Sequence, residues 1–138
     1  MGLPNILIEF KDKASTAIKR GDRGTVAIIV IDTVPGVTKI EDITQIPSGL
    51  TADNKAYVER AFLGGLNSIK DVMLIVTDTV ANGLKVLEVT KFDYMVGPHD
   101  ISGADATATA TFIKALRDNK GIKVKAVLPK TSADHEGI

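Results

Sequence analysis

The 138-residue chain contains no cysteine, which excludes disulfides, cysteine-ligated zinc and a thiol nucleophile. It has no excess of either charge, with 17 basic side chains against 17 acidic ones, and no segment carries five like charges in a row. A nucleic-acid-binding surface is therefore not expected. Lys11, Lys13, Lys19, Arg20 and Arg23 make a local basic cluster that reads as a solvated linker. No apolar run approaches the length that spans a bilayer, and the first residues lack the basic start and clean apolar core of a signal peptide. Ile6 stands where a myristoylation signal needs Ser or Thr. The expectation is a soluble product without membrane insertion. Histidine occurs only twice, so near-neutral bases are scarce, and no Gly-x-Ser-x-Gly elbow is present. No catalytic residue, metal or cofactor is expected, and nothing argues for an enzyme.

What the chain does have is apolar content, 44% of its residues. That suffices for one domain with a real core and is too little for two. GTVAIIVID, Gly24 to Asp32, is a nearly continuous β-branched run, the pattern of a strand buried on both faces. Val34-Pro35-Gly36 reads as a turn. Lys39 to Ile46, with Ile40, Ile43 and Ile46, reads as a short edge strand or an irregular segment. Thr51 is a candidate N-cap for a helix bearing Tyr57, Val58, Ala61, Phe62 and Leu66 at helical spacing, weakened at Gly64 and Gly65. DVMLIVTDT, Asp71 to Thr79, repeats the buried-strand signature. Its IVTDTV echoes IVIDTV at Ile29 to Val34, which does not by itself establish a duplication, since both are strand-to-turn junctions under the same demands.

Val80, Leu84 and Leu87 mark a short helix, and Phe92 to Val96 a short strand closed by Gly97-Pro98. Ser102 with Asp105 resembles a capping box with a shorter acid, ahead of Ala108, Phe112, Ile113 and Leu116 at helical spacing. Asn119 and Gly121 stop that helix. Ile122 to Leu128 is the last strand, ended by Pro129. This alternation predicts a small three-layer α/β domain around an open, mostly parallel sheet with right-handed crossovers.

Ligands of open α/β sheets sit beyond the carboxyl ends of the strands, which singles out Asp32, Asp78, His99, Asp100 and Lys130. Two acids at strand ends and a Lys after the last strand resemble a phosphoryl-accepting receiver domain, in which carboxylates hold Mg²⁺ and the Lys meets the phosphoryl group. A receiver has an acidic pair after its first strand, whereas Asp32 stands alone before Thr33 and Val34. The competing reading is that Asp and Thr bond the turn backbone. His99-Asp100 and Asp134-His135-Glu136 could together supply imidazole and carboxylate to a metal, but neither has the one-turn helical spacing of a recognisable site, and exposed loop residues are the default. Arg20-Gly21-Asp22-Arg23-Gly24 precedes a strand, while a phosphate cradle must follow one and open a helix, so Gly21 and Gly24 read as a hinge.

The opening stretch GLPNILIEFKDKASTAIKRGDR is set apart from this body. Leu3, Asn5, Ile6, Leu7, Ile8, Glu9 and Phe10 form an extended-looking segment in which Pro4 favours an edge position over a central one. Such a strand can pair with its own sheet or add to another chain's exposed edge. The body has enough strands without it, so it reads as a connector to another subunit, with 1–23 as arm and hinge and 24–138 as the α/β domain.

GLPNILIEFKDKASTAIKRGDRGTVAIIV, IPSGLTADNKAYVERAFLGG, KFDYMVGP and KAVLPKTSADHEGI together resemble the N-terminal part of a contractile phage tail sheath protein, over most of the chain. The resemblance implies a structural subunit whose copies stack as rings into a helical sleeve around a tail tube, as in phages, defective prophages and phage-tail-like bacteriocins. It implies an arm, here Leu3 to Phe10, that adds a strand to a neighbouring subunit while Lys11 to Arg23 serves as the hinge. The implied partners are other copies of itself, the tail tube protein and the baseplate, and the implied place is the virion tail, assembled in the host bacterial cytoplasm. Family members are longer and end in a second arm, so the 24–138 domain is expected to be part of a longer protein. The alternative is a stand-alone small-ligand or phosphoryl-binding α/β domain using Asp32, Asp78 and Lys130.

Overall fold

The computed structural model of the protein describes residues 24–63, 69–129 and 131–138. Strand β1 (Thr25–Ile31) is followed by β2 (Gly36–Ile40), a 3₁₀ turn (Ile43–Gln45), helix α1 (Ala52–Leu63), β3 (Asp71–Thr77), α2 (Val80–Leu87), β4 (Tyr94–Val96), α3 (Gly103–Lys120) and β5 (Lys125–Val127). The sheet order is β2-β3-β1-β4-β5. β1 runs parallel to β3 and to β4, and β4 parallel to β5, while β2 is antiparallel to β3 at the edge. The expected small α/β domain on a mostly parallel open sheet is thus what the chain forms.

The β-branched run of β1 is continuous because both of its faces are covered. Ala27 and Ile29 join one core with Ile75, Leu87, Met95, Ile113 and Leu116, beneath α2 and α3. Ile28 and Val30 join the other with Val58, Val72, Leu74 and Val76, beneath α1. Each fully buried Ile, Leu or Val contributes roughly 1.5–3 kcal/mol of transfer free energy, so the two central strands anchor both layers at once. The echoed hexapeptides lie side by side, with Ile29 paired to Ile75, Val30 to Val76 and Ile31 to Thr77. Their likeness follows from two adjacent central strands meeting the same two layers and ending at the same level.

Local signals place the helices. The Thr79 side chain accepts from Asn82 N to cap α2. Ser102 Oγ accepts from Asp105 N at 3.1 Å and donates to Asp105 Oδ2 at 2.7 Å, so the acid reaches the cap hydroxyl rather than the cap amide of a full capping box. α3 ends at Gly121 with φ 66°. Gly83 sits where α2 crosses β1, and a Cβ there would lie 2.8 Å from Ile29 Cγ2, so the absence of a side chain sets how closely these layers approach.

Several boundaries differ from the sequence-based expectation: β3 ends at Thr77 rather than Thr79, β4 begins at Tyr94 rather than Phe92, and three further differences have a visible cause. Gly36 opens β2 rather than closing a turn, because the ladder to β3 starts with Gly36 opposite Val76 and Pro35, which has no amide to give, falls just outside it. The edge strand therefore ends at Ile40, and Ile43–Gln45 forms a turn capped by Asp42, which accepts from Thr44 N. The last strand begins only at Lys125, since Ile122 N returns to Leu116 O to finish the helix. Among the described residues no helix is long and apolar enough to cross a membrane.

Candidate functional site

The four parallel strands lie in the order β3-β1-β4-β5, and strand order reverses between β1 and β4. A ligand of an open α/β sheet sits outside the carboxyl ends at such a reversal. Here α1 reaches over it. Asn54 and Tyr57 stand three residues apart and so share a helix face. Asn54 Nδ2 donates to Ile31 O and to Asp32 Oδ2, both at 2.9 Å. The Tyr57 hydroxyl donates to Gly97 O, just past β4, at 2.9 Å. The Tyr57 ring meets the His99 ring at a centroid distance of 5.9 Å, and burial pushes its phenol pKa up.

Asp32 is partly exposed and bonded through both carboxylate oxygens in this arrangement. Thr33 N donates to its Oδ1 and Thr51 N to its Oδ2, each at 2.8 Å. Asn54 first, then the Thr51 and Thr33 amides, hold the Asp32 carboxyl well below the usual carboxylate range. Asp78, at the end of neighbouring β3, accepts from Asn82 Nδ2 at 2.7 Å, and that bond is the main cause of its lowered pKa. Asp32 and Asp78 are therefore brought to adjacent strand ends, and each is already bonded to its own helix start. His99 stands on the far side of β1 against Tyr57. Lys130 lies outside the described residues.

No three His, Asp or Glu side chains gather among the described residues. The Asp134-His135-Glu136 segment instead straps the outer edge of the sheet at β5. Ala126 N donates to Gly137 O at 2.7 Å, and Gly137 N donates to His135 Nδ1 at 3.1 Å. Arg117, on α3, donates from Nη1 to Val124 O at 2.9 Å and from Nη2 to Glu136 Oε1 at 2.5 Å. That guanidinium lowers the Glu136 carboxyl pKa. His135 Nε2 lies 3.4 Å from Asp118 Oδ1. A Cβ on Gly137 would fall 2.5 Å from Arg117 Cδ, so only glycine lets the strap lie this close to α3.

The opposite edge is different. Gly36 to Lys39 of β2 are exposed, and Val37 and the nearby Val34 and Ile43 are large apolar side chains at the surface. Lys39 ties the strand inward, its Nζ 3.1 Å from Oδ2 of the buried Asp71 and 3.4 Å from Glu41. Of the hinge glycines, Gly24 leads directly into β1 and its carbonyl accepts from Lys70 N at 3.4 Å. Gly21 and the arm residues Leu3, Asn5, Ile6, Leu7, Ile8, Glu9 and Phe10 lie outside the described residues.

Over 99% of its length the chain is 35% identical to the tail sheath protein of Clostridium phage phiCD119, in a comparison of 145 residues. The chain is a homologue of a phage tail sheath protein. It spans 40% of the length of that relative. No protein-family model matches the chain. The resemblance stated from the sequence segments is thus matched by a tail sheath relative that runs along nearly the whole chain.

Sequence reasoning missed two parts of this tail sheath homologue. Asn54 falls four residues before Val58 and eight before Phe62, so it stood on the apolar stripe of α1, and a polar residue in that register signals a buried partner. The strap at 134–138 carried no comparable local signal, since its partners Arg117, Asp118 and Ala126 come from two other elements.

Proposed function

We propose that the chain is the N-terminal portion of a contractile tail sheath subunit, a structural and non-enzymatic part of a sleeve built from many copies around a tail tube. The observation that carries this reading is the 35% identity to a tail sheath protein along nearly the whole chain. The site geometry agrees with it. The crevice in which an α/β domain would hold a small ligand is bridged by Asn54 and Tyr57, and the acids beside it are bonded to backbone and amide donors. In this reading Leu3 to Phe10 adds a strand to a neighbouring subunit, Lys11 to Arg23 connects it to the body, and the sleeve stays linked as its rigid bodies turn about that connection. A repeated head-to-tail contact that does not close on itself yields a helical filament. Its partners are further copies, the tail tube protein and the baseplate, in a virion tail assembled in the host cytoplasm.

Electron microscopy of the longer natural protein tests this directly, and striated sleeves or tubes of stacked rings are expected. Deleting Gly2 to Arg23 is expected to leave the body folded, with its helical circular dichroism signal and a cooperative melt retained, and to abolish ordered assembly. Sleeves that form normally without these residues would remove the arm from the mechanism, and absence of any tubular assembly by the intact protein would count against the sheath role itself.

A further inference from the structure

The two edges of the sheet are finished differently. At β5 the chain closes its own edge, with Gly137 O taking the outward amide of Ala126 and Arg117 fastening Glu136 beside it. At β2 the residues from Gly36 to Lys39 are exposed, and among the described residues nothing pairs with their outward backbone groups. An open edge of this kind is a template for another strand. β2 carries few of the usual defences. Its one cation, Lys39, is turned back to Asp71. Val37 is 51% exposed, and Ile31, two strands inward, is 42% exposed. Both belong to the face that carries Ile29 and Ile75, because side chains two apart along a strand share a side and Val37 lies opposite Ile75.

We propose that in the free subunit the outer edge of β2 is covered by the same chain's own residues Leu3–Phe10, which leave it to pair with a neighbour only on assembly. The proposal rests on reading 3–10 as a strand-forming arm and adds where that arm lies before assembly. Three observations select this occupant. The segment is rich in strand-forming residues, and Ile6, Ile8 and Phe10 alternate to give one apolar face, the match for an edge flanked by Val37. The chain enters the body at Gly24, the start of central strand β1, and the vacant position outside β2 lies three strand spacings away, roughly 15 Å. The connection Lys11–Arg23 has roughly 13 residues and can span at most about 45 Å, so the segment reaches its own edge with length to spare.

Tethering then decides between the chain's own arm and that of a second copy. A short connection of this kind gives an effective concentration in the millimolar range. At a protein concentration of about 10 μM, the internal pairing is favoured over pairing with another copy by roughly a hundredfold. Inside a sleeve the neighbours are held in place, that advantage falls away, and the same strand can be exchanged between subunits in the manner of a domain swap.

The absence of cysteine makes the test clean. In the full chain, Thr38→Cys is combined in turn with Ile6→Cys, Leu7→Cys, Ile8→Cys and Glu9→Cys, so that any register that sets one of the four central arm residues opposite Thr38 brings a pair of Cα atoms within disulfide range. Oxidation at about 10 μM is expected to give a bridged monomer for one or two of the four pairs, in a yield independent of dilution. Val127→Cys, at the strapped edge, is expected to give none with any of them. In parallel, exchange of those amides of Val37 to Lys39 that point away from β3 is expected to quicken at least tenfold in the full chain carrying Ile6→Asp and Ile8→Asp, while the amides bonded to β3 keep their protection. Bridges that form only between chains, or no bridge together with unchanged exchange at β2, would overturn the proposal. Neither result touches the sheath role, which is judged on assembly of the longer protein.

Discussion

Asp32 joins the end of β1 to the start of α1. Its two carboxylate oxygens take amide protons from Thr33 and Thr51 and a side-chain proton from Asn54. These donors favour the charged form, which is why its pKa is depressed, and a depressed carboxyl pKa links charge to stability with a definite sign. The contribution is fully present above the unfolded value of about 3.9 and is lost as pH falls below it toward the folded value. Asp32→Asn keeps the shape and removes the charge. Thermal melts of the two proteins are expected to differ most near pH 7, with the variant less stable. The gap should narrow steadily once the pH drops below about 4, where the parent protein's advantage is being protonated away. A gap that is constant from pH 7 to pH 3 would mean that the carboxylate charge contributes nothing and only the side-chain shape matters.

At the scale of elements, α2 is held against the sheet by an absence. A Cβ at Gly83 would come 2.8 and 2.9 Å from the methyls of Ile29, which is itself fully buried. Gly83→Ala gains about 1 kcal/mol of helix propensity but overpacks this contact at a cost of about 1–3 kcal/mol. The net expectation is a loss of up to about 2 kcal/mol in urea denaturation with the slope unchanged. A more stable variant would show that α2 has room to withdraw. The β5 strap gives a second test. Arg117→Ala removes the bonds to Val124 O and Glu136, so exchange of the Ala126 amide is expected to quicken while that of Ile75, in the sheet centre, is unaffected. Uniform quickening of both amides would instead place Arg117 in the global core.

The same elements show what could be read from the chain. β1, β3 and α2 were legible because long β-branched runs and an apolar 3–4 spacing leave little choice of structure. β2 was legible only as a short edge strand or an irregular segment, displaced by a few residues, because its ladder is chosen by β3 and by Pro35 rather than by its own sequence. The strand-end acids could be listed but their use could not, since Asp32 is committed by Thr51 and Asn54, some 20 residues away. The strap was hidden for the same reason: Gly137 has meaning only once Arg117 and Ala126 are beside it.

Among the described residues of the molecule there are two layers of helix, one of them incomplete. Met95 and Ala126 point into the core beneath α2 and α3, so Tyr94 and Val127 stand on the other side of β4 and β5. No helix among the described residues packs on that side of β5, and Tyr94 and Val127 are 45% and 63% exposed. Parallel strands are normally covered on both faces, and a bare apolar stretch of sheet is a place where copies adhere. Charge governs how freely they do so. The chain carries no net charge and has an isoelectric point near 6.7, so near neutrality nothing opposes contact. The second virial coefficient from light scattering is therefore expected to be most negative at pH 6.5–7, about the isoelectric point, and to rise on either side as like charge accumulates. Val127→Lys places a cation on the bare face at an exposed position. It is expected to leave the melting behaviour unchanged to within about 0.5 kcal/mol while shifting the coefficient upward at every pH. If the pH minimum is present but the substitution leaves it untouched, the attraction runs through another surface, and the exposed side chain of Val37 becomes the place to put the next lysine.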